Sequence, residues 1–329
     1  MRRPPAGKGA VGERSPTRGG PVVGRAPGKR RAAPAPSSRR LAEAFANIPR
    51  TAWICVTVAC LNSVCWSLIS PPFQITDEPS HFAYVQHLAT TGTLPTSNEE
   101  KFSAAETEAL IGLKYQQVRE LPQNHTIASA AEQAQLERAL STPASSASQD
   151  AGVATEQPPL YYTLETIPYN LGGTVLTRLA LMRLLSALMA GVTALFAFLF
   201  LREALPGVRW AWTVGGLGVA LFPLLGFMSG AVNPDAMLYA VSAALFFVLA
   251  RAFRLGLTPG WAAAIGAVIA VGVLTKVNFI GLLPGAVLAL GILALREARV
   301  SRSGAYRALA LAAGVAVSPV VVYLTLNAL

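Results

Sequence analysis

The chain has 329 residues, 53% of them hydrophobic and only 13% charged, with a formal net charge of +10. That charged share is about half that of an ordinary soluble domain, and a mean hydropathy of +0.45 excludes a water-soluble globular protein. The positive charge suggests nucleic acid until it is placed along the chain, where it records membrane topology and leaves no nucleic-acid partner.

Residues 1–49 are rich in Arg, Pro, Gly and Ala and lack an apolar period. They are expected to be a disordered basic tail. The first 50 residues hold 12 Lys/Arg against Glu13 and Glu43. Apolar runs approaching the length of a bilayer crossing then follow at 52–70, 184–201, 210–228, 236–250, 261–274, 277–295 and 308–329. The fold class expected over 50–329 is therefore all-α, a polytopic transmembrane bundle of about seven spans. The fourth and fifth runs are short and extend into flanks whose basic side chains snorkel. Cys55, Cys60 and Cys65 all lie in the first run and read as small packing residues.

Between the first two runs lies a large loop, 71–172, with 4 Lys/Arg against 12 Asp/Glu. Threading seven spans puts the basic short loops near Arg202, Arg251 and Arg296 on the side of the N-terminus. The positive-inside rule makes that side cytoplasmic and the acidic loop extracytoplasmic, in a multi-pass protein of the cell membrane. The loop opens with Ile75-Thr76-Asp77-Glu78-Pro79-Ser80-His81-Phe82. Glu78 to Thr91 reads as an amphipathic helix with Phe82, Val85 and Ala89 on one side, stopped by Gly92 and Pro95. Residues 96–155 are polar and expected to be mobile, with weak helical patterning near 103–120 and 130–140. Asn124-His125-Thr126 fits a glycosylation sequon. Gln157-Pro158-Pro159-Leu160-Tyr161-Tyr162 begins another helix, its tyrosines suited to the headgroup level. Asn233-Pro234-Asp235 is a helix start, with Asn as cap. The last run stops at Leu329 without a tail, which suggests a piece of a longer protein.

Unusual polar residues gather at the outer face: Asp77, Glu78, His81, Gln157, Arg183, Asp235 and Lys276. Charge near membrane depth is costly and points to function. Asp77 or Glu78 can act as general base on an acceptor hydroxyl, or hold a divalent cation such as Mg2+ or Mn2+. Arg183 and Lys276 can clamp a phosphate, and His81 can share a ligand with Asp77. Against this stand plainer readings. Asp77 caps the helix that follows, Glu78 complements its dipole, His81 is a surface residue, and Asp235 pairs with Lys276.

With these residues in place, the chain resembles the GT-C superfamily of membrane glycosyltransferases, and within it the bacterial family of predicted membrane proteins called domain of unknown function 2142. Four landmarks carry the likeness: Asp77-Glu78-Pro79-Ser80-His81, Gln157 to Tyr162, the Asn-Pro-Asp at 233–235, and Thr275-Lys276 followed by Pro284. The resemblance implies a polyprenyl-phosphate sugar donor, a glycan or protein acceptor, often a divalent metal, and Asp77 as catalytic carboxylate beside Glu78. Around these two acids, His81, Gln157, Tyr161, Arg183, Asp235 and Lys276 are the expected substrate contacts, within a site bordered by membrane lipid. A transporter or flippase of lipid-linked sugars, or a non-catalytic membrane subunit, are the alternatives. Charges clustered at one face, and the lack of an internal repeat, favour surface chemistry over transport.

Overall fold

The computed structural model describes residues 48–96, 100–120, 129–132, 134, 136 and 150–328. These fall within one compact unit, residues 36–329. The basic tail up to residue 47 and the sequon at Asn124 lie outside the described residues.

Every apolar run becomes helical. α1 (Arg50–Ile69) starts after Pro49 and ends before Pro71. After the outer loop come α6 (Val175–Ala204), α7 (Arg209–Ala220), α8 (Pro223–Ser229), α9 (Asp235–Leu255), α10 (Pro259–Thr275), α11 (Leu283–Ala298) and α12 (Arg302–Ala328). Among the described residues five segments are long and apolar enough to cross a membrane: α1, α6, α9, the stretch Val277–Ala298, and Arg302–Thr325 of α12. The third run is a broken pair rather than one straight helix. α7 and α8 meet at 51° across Leu221 and Phe222, where Pro223 cannot supply the N–H that would continue the ladder. α10 has 17 residues, about 25 Å of rise, and is the short member of the set.

α6 is the central helix, packed by α1, α7 and α9; α10 packs on α12. Small residues permit these approaches. A Cβ on Gly191 would strike the Cys60 thiol, and one on Gly216 the Cys55 thiol, so these two cysteines fill helix interfaces, whereas Cys65 is exposed. A Cβ on Gly266 of α10 would strike the Ala312 carbonyl of α12. At the end of the bundle far from the outer loop, the buried carboxylate of Glu203 on α6 receives Arg251 and, at 3.0 Å, Arg254, both from α9.

The long loop between α1 and α6 supplies α2 (Glu78–Thr91), α3 (Ala104–Gly112), α4 (Tyr115–Glu120) and α5 (Leu160–Leu171). The only strands among the described residues, Glu100–Lys101 and Asp150–Ala151, form a two-residue antiparallel ladder. α2 has the expected limits, and Gly92 ends it in the left-handed conformation, φ 70°. It is not a surface amphipathic helix, however. Residues 78 to 86 are all buried, and α5 packs along it. Tyr161 and Tyr162 are likewise fully buried rather than seated among headgroups.

Candidate functional site

The link between α1 and α2, residues 70–77, makes an unusual turn. Phe73 and Asp77 both take positive φ, 64° and 58°. The left-handed region is open to Asp but is an outlier for a bulky aromatic. The turn is held by what it encloses. Glu78 has no exposed surface, and its two oxygens receive four donors. Oε1 accepts from Arg183 Nε at 2.7 Å and from Val232 N at 3.0 Å. Oε2 accepts from Arg183 Nη2 at 2.6 Å and from Phe73 N at 2.9 Å. Arg183 gives its remaining donors to the carbonyls of Ser67, Ser70 and Pro71 at 2.9 to 3.0 Å. These close the C-terminal end of α1. A carboxylate has about four lone-pair sites and a guanidinium five N–H groups, and here every one is engaged.

This saturation corrects the roles expected for Glu78 and Arg183. Glu78 has no lone pair left for a proton or a cation, and Arg183 has no donor left for a phosphate. Together they fasten the first turn of α2 to α1 and α6. Nor does Glu78 merely complement the helix dipole.

Asp77 stands in contrast. It is exposed at the N-cap of α2, but its side chain makes no capping bond. Only its backbone carbonyl serves the helix, accepting from His81 N at 3.0 Å. The capping role expected of the Asp77 side chain is therefore not the one it has. One residue back, the Thr76 carbonyl is reached by Asn233 Nδ2 at 3.4 Å. Asn233 Oδ1 in turn accepts from Asp235 N at 2.9 Å; it sits just before Pro234, which is the N-cap of α9 in place of the expected Asn233. Lys276, at the end of α10, donates to Asp235 Oδ1 at 2.7 Å, and both side chains are mostly buried. The Asp77 turn, the start of α9 and the end of α10 thus meet at one place. Lys276 uses one of an ammonium's three donors on Asp235.

His81 is buried, not on the surface, and its Nδ1 lies 3.0 Å from the Tyr162 hydroxyl. Burial, reinforced by the charge of Lys276, lowers its pKa to about 3, so the ring is neutral at ordinary pH. Tyr162 stacks on Tyr84 with centroids 3.7 Å apart. Burial first, then Tyr84 and Asp235, keep its phenol neutral well above the ordinary range. Tyr84 extends to the Gln157 carbonyl at 3.4 Å, and the buried Gln157 Oε1 has no partner among the described atoms.

Tyr161, expected to touch substrate, points away from this cluster. Its hydroxyl lies 2.8 Å from Ser186 Oγ, which donates to Glu165 Oε1 at 3.0 Å. Burial raises Glu165 to about 8, so this carboxyl is protonated at neutral pH. Sequence reasoning passed over Glu165, Ser186 and the Tyr84–Tyr162 stack. Glu165 carried a signal, an acid four residues after Tyr161 in an otherwise apolar turn.

The residues do not fit a divalent cation. Among the described residues no three His, Cys, Asp or Glu side chains converge, and Glu78 is saturated. Asp77 alone is too few ligands for Mg2+ or Mn2+ bound by the protein.

One turn below Asp235, Tyr239 lines an apolar cavity of about 490 Å³ together with Thr193, Phe222, Leu225 and Phe246. It lies between α6, α9 and the broken α7/α8 pair. A helical bundle with membrane-length helices and a polar cluster at one end defines an integral membrane protein with a face-located site. The family model of predicted membrane proteins designated DUF2142 matches residues 60–327, and the chain belongs to that family. No curated protein and no solved structure matches it.

Proposed function

We propose that the protein is a glycosyltransferase of the cell membrane, with its N-terminus cytoplasmic and the Asp77 site extracytoplasmic. It moves a sugar from a polyprenyl-phosphate donor to an envelope glycan or protein. The observation that carries this is the contrast between the two adjacent acids. Glu78 is wholly engaged in holding the turn, while Asp77 is presented on that turn with its carboxylate unused by the fold. The acceptor hydroxyl oxygen attacks the anomeric carbon and the bond from that carbon to the phosphate oxygen breaks. Asp77 takes the hydroxyl proton, and the phosphate leaves with the bonding pair. Lys276, steadied by Asp235, offers its remaining donors to that charge. Neutral His81 and Gln157 are polar contacts for the sugar. The apolar cavity beneath Asp235 is of a size and lining to take part of an isoprenoid chain. No step needs a metal.

The test replaces Asp77 by Asn in a host lacking the native copy, with lipid-linked sugars and envelope glycans read by mass spectrometry. Asn also tolerates the left-handed conformation, so protein level and melting temperature should hold. The expected result is an envelope polymer missing one sugar while its lipid-linked donor accumulates on the outer leaflet. An unchanged glycan ends the role of Asp77, and donor trapped on the inner leaflet replaces transfer by flipping.

A further inference from the structure

Tyr162 has no exposed surface. Its hydroxyl has a single hydrogen-bond partner among the described residues, His81 Nδ1 at 3.0 Å. Tyr84, stacked against it, spends its own hydroxyl on the Gln157 carbonyl. Were Nδ1 to carry the hydrogen and donate, the enclosed phenol proton would have no acceptor, which is costly. The phenol therefore donates and Nδ1 accepts. Burial and the charge of Lys276 keep a second proton off the ring, so its one hydrogen is on Nε2. We infer that Tyr162 is a positioning residue: it holds His81 as an Nε2–H donor that cannot serve as a base.

The consequence for catalysis deepens the glycosyl-transfer reading and rests on it. His81 lies one turn of α2 beyond Asp77, and histidine is the commonest general base. A base needs a free lone pair. On this ring the in-plane lone pair, at Nδ1, is taken by the phenol. The neighbouring acids are engaged as well, Glu78 by Arg183 and Asp235 by Lys276. That leaves Asp77 to receive the proton of the acceptor hydroxyl. His81 keeps 6% of its surface, and Nε2 has no hydrogen-bond partner among the described residues. That edge gives its N–H to an oxygen of the sugar.

The chain has three histidines, so nitrogen NMR of the histidine-labelled full chain in lipid nanodiscs can read His81, with His87→Gln and His125→Gln assigning its signals. His81 should carry hydrogen on Nε2 and a bare Nδ1 displaced upfield by an accepted hydrogen bond. Tyr162→Phe should abolish that displacement. A proton on Nδ1 in the parent protein, or an unchanged Nδ1 signal in Tyr162→Phe, overturns the proposal. Transfer, read from envelope glycans in the host lacking the native copy, gives a second arm. Glutamine offers an N–H donor but no base. His81→Gln should stay within about threefold of the parent, and His81→Leu should fall about tenfold, the worth of one hydrogen bond. A fall of about a hundredfold or more in both, with melting temperatures kept, makes His81 the base and overturns the proposal. If the parent shows no transfer, the glycosyltransferase reading fails, and the NMR arm still decides the role of Tyr162.

Discussion

Replacing Arg183 by Lys keeps the charge and removes the geometry. Arg183 serves five acceptors: two Glu78 oxygens and the carbonyls of Ser67, Ser70 and Pro71. An ammonium carries three donors on one atom, so at least two of those acceptors lose their partner. A buried acceptor left unsatisfied costs about 1–3 kcal/mol. Two of them give about 2–6 kcal/mol, and partial water access at Ser67 and Pro71 moves the expectation toward about 2–4 kcal/mol. Glu78→Gln should cost a similar amount or more, since removing one charge of a buried pair strands the other at about 3–5 kcal/mol. Equilibrium unfolding in mixed detergent, followed by tryptophan fluorescence, measures both. The double-mutant cycle should show strong coupling. If either single variant unfolds like the parent protein, the pair does not hold the turn, and Glu78 returns as a candidate for chemistry.

Glu165 provides a pH test. Its folded pKa of about 8 lies above the ordinary 4.5, so between those values the folded state binds more protons than the unfolded one and stability falls as pH rises. The melting temperature of the parent minus that of Glu165→Gln should therefore decline from pH 5 to pH 8 and level off above; a flat difference would remove the buried acid from the account. Tyr162→Phe deletes the hydroxyl beside His81 Nδ1 and should destabilise by about 1–2 kcal/mol, read by the same unfolding assay. Gly266→Val forces α10 from the Ala312 carbonyl and should cost about 1–3 kcal/mol; no loss would mean that the two helices are not in such close contact.

Much of the fold was legible because apolar length and helix punctuation are local signals. The limits of α2 followed from Glu78-Pro79 and Gly92, whereas the break at Pro223 falls inside the run 210–228 read as one span. Asn233 announced the start of α9. The site was read less well because its decisive contacts are distant in sequence. Glu78 and Arg183 are 105 residues apart, and no spacing rule links them. Adjacent acids look equivalent in a string of letters; only the left-handed turn sends one inward and the other out. The burial of α2, which took His81 and the tyrosines inside, depended on α5 packing along it. Lys276 and Asp235 were seen as a possible pair because both sit at helix ends on the same side.

The 30-residue α6 is an unbroken rod of about 45 Å, pinned near its two ends. Arg183 grips Glu78 at one, and Glu203 grips Arg251 and Arg254 at the other. A beam clamped twice cannot pivot at one support without unloading the other. The joints in the bundle lie elsewhere, at the elbow Leu221–Phe222 and the tight-wound stretch Val277–Leu282.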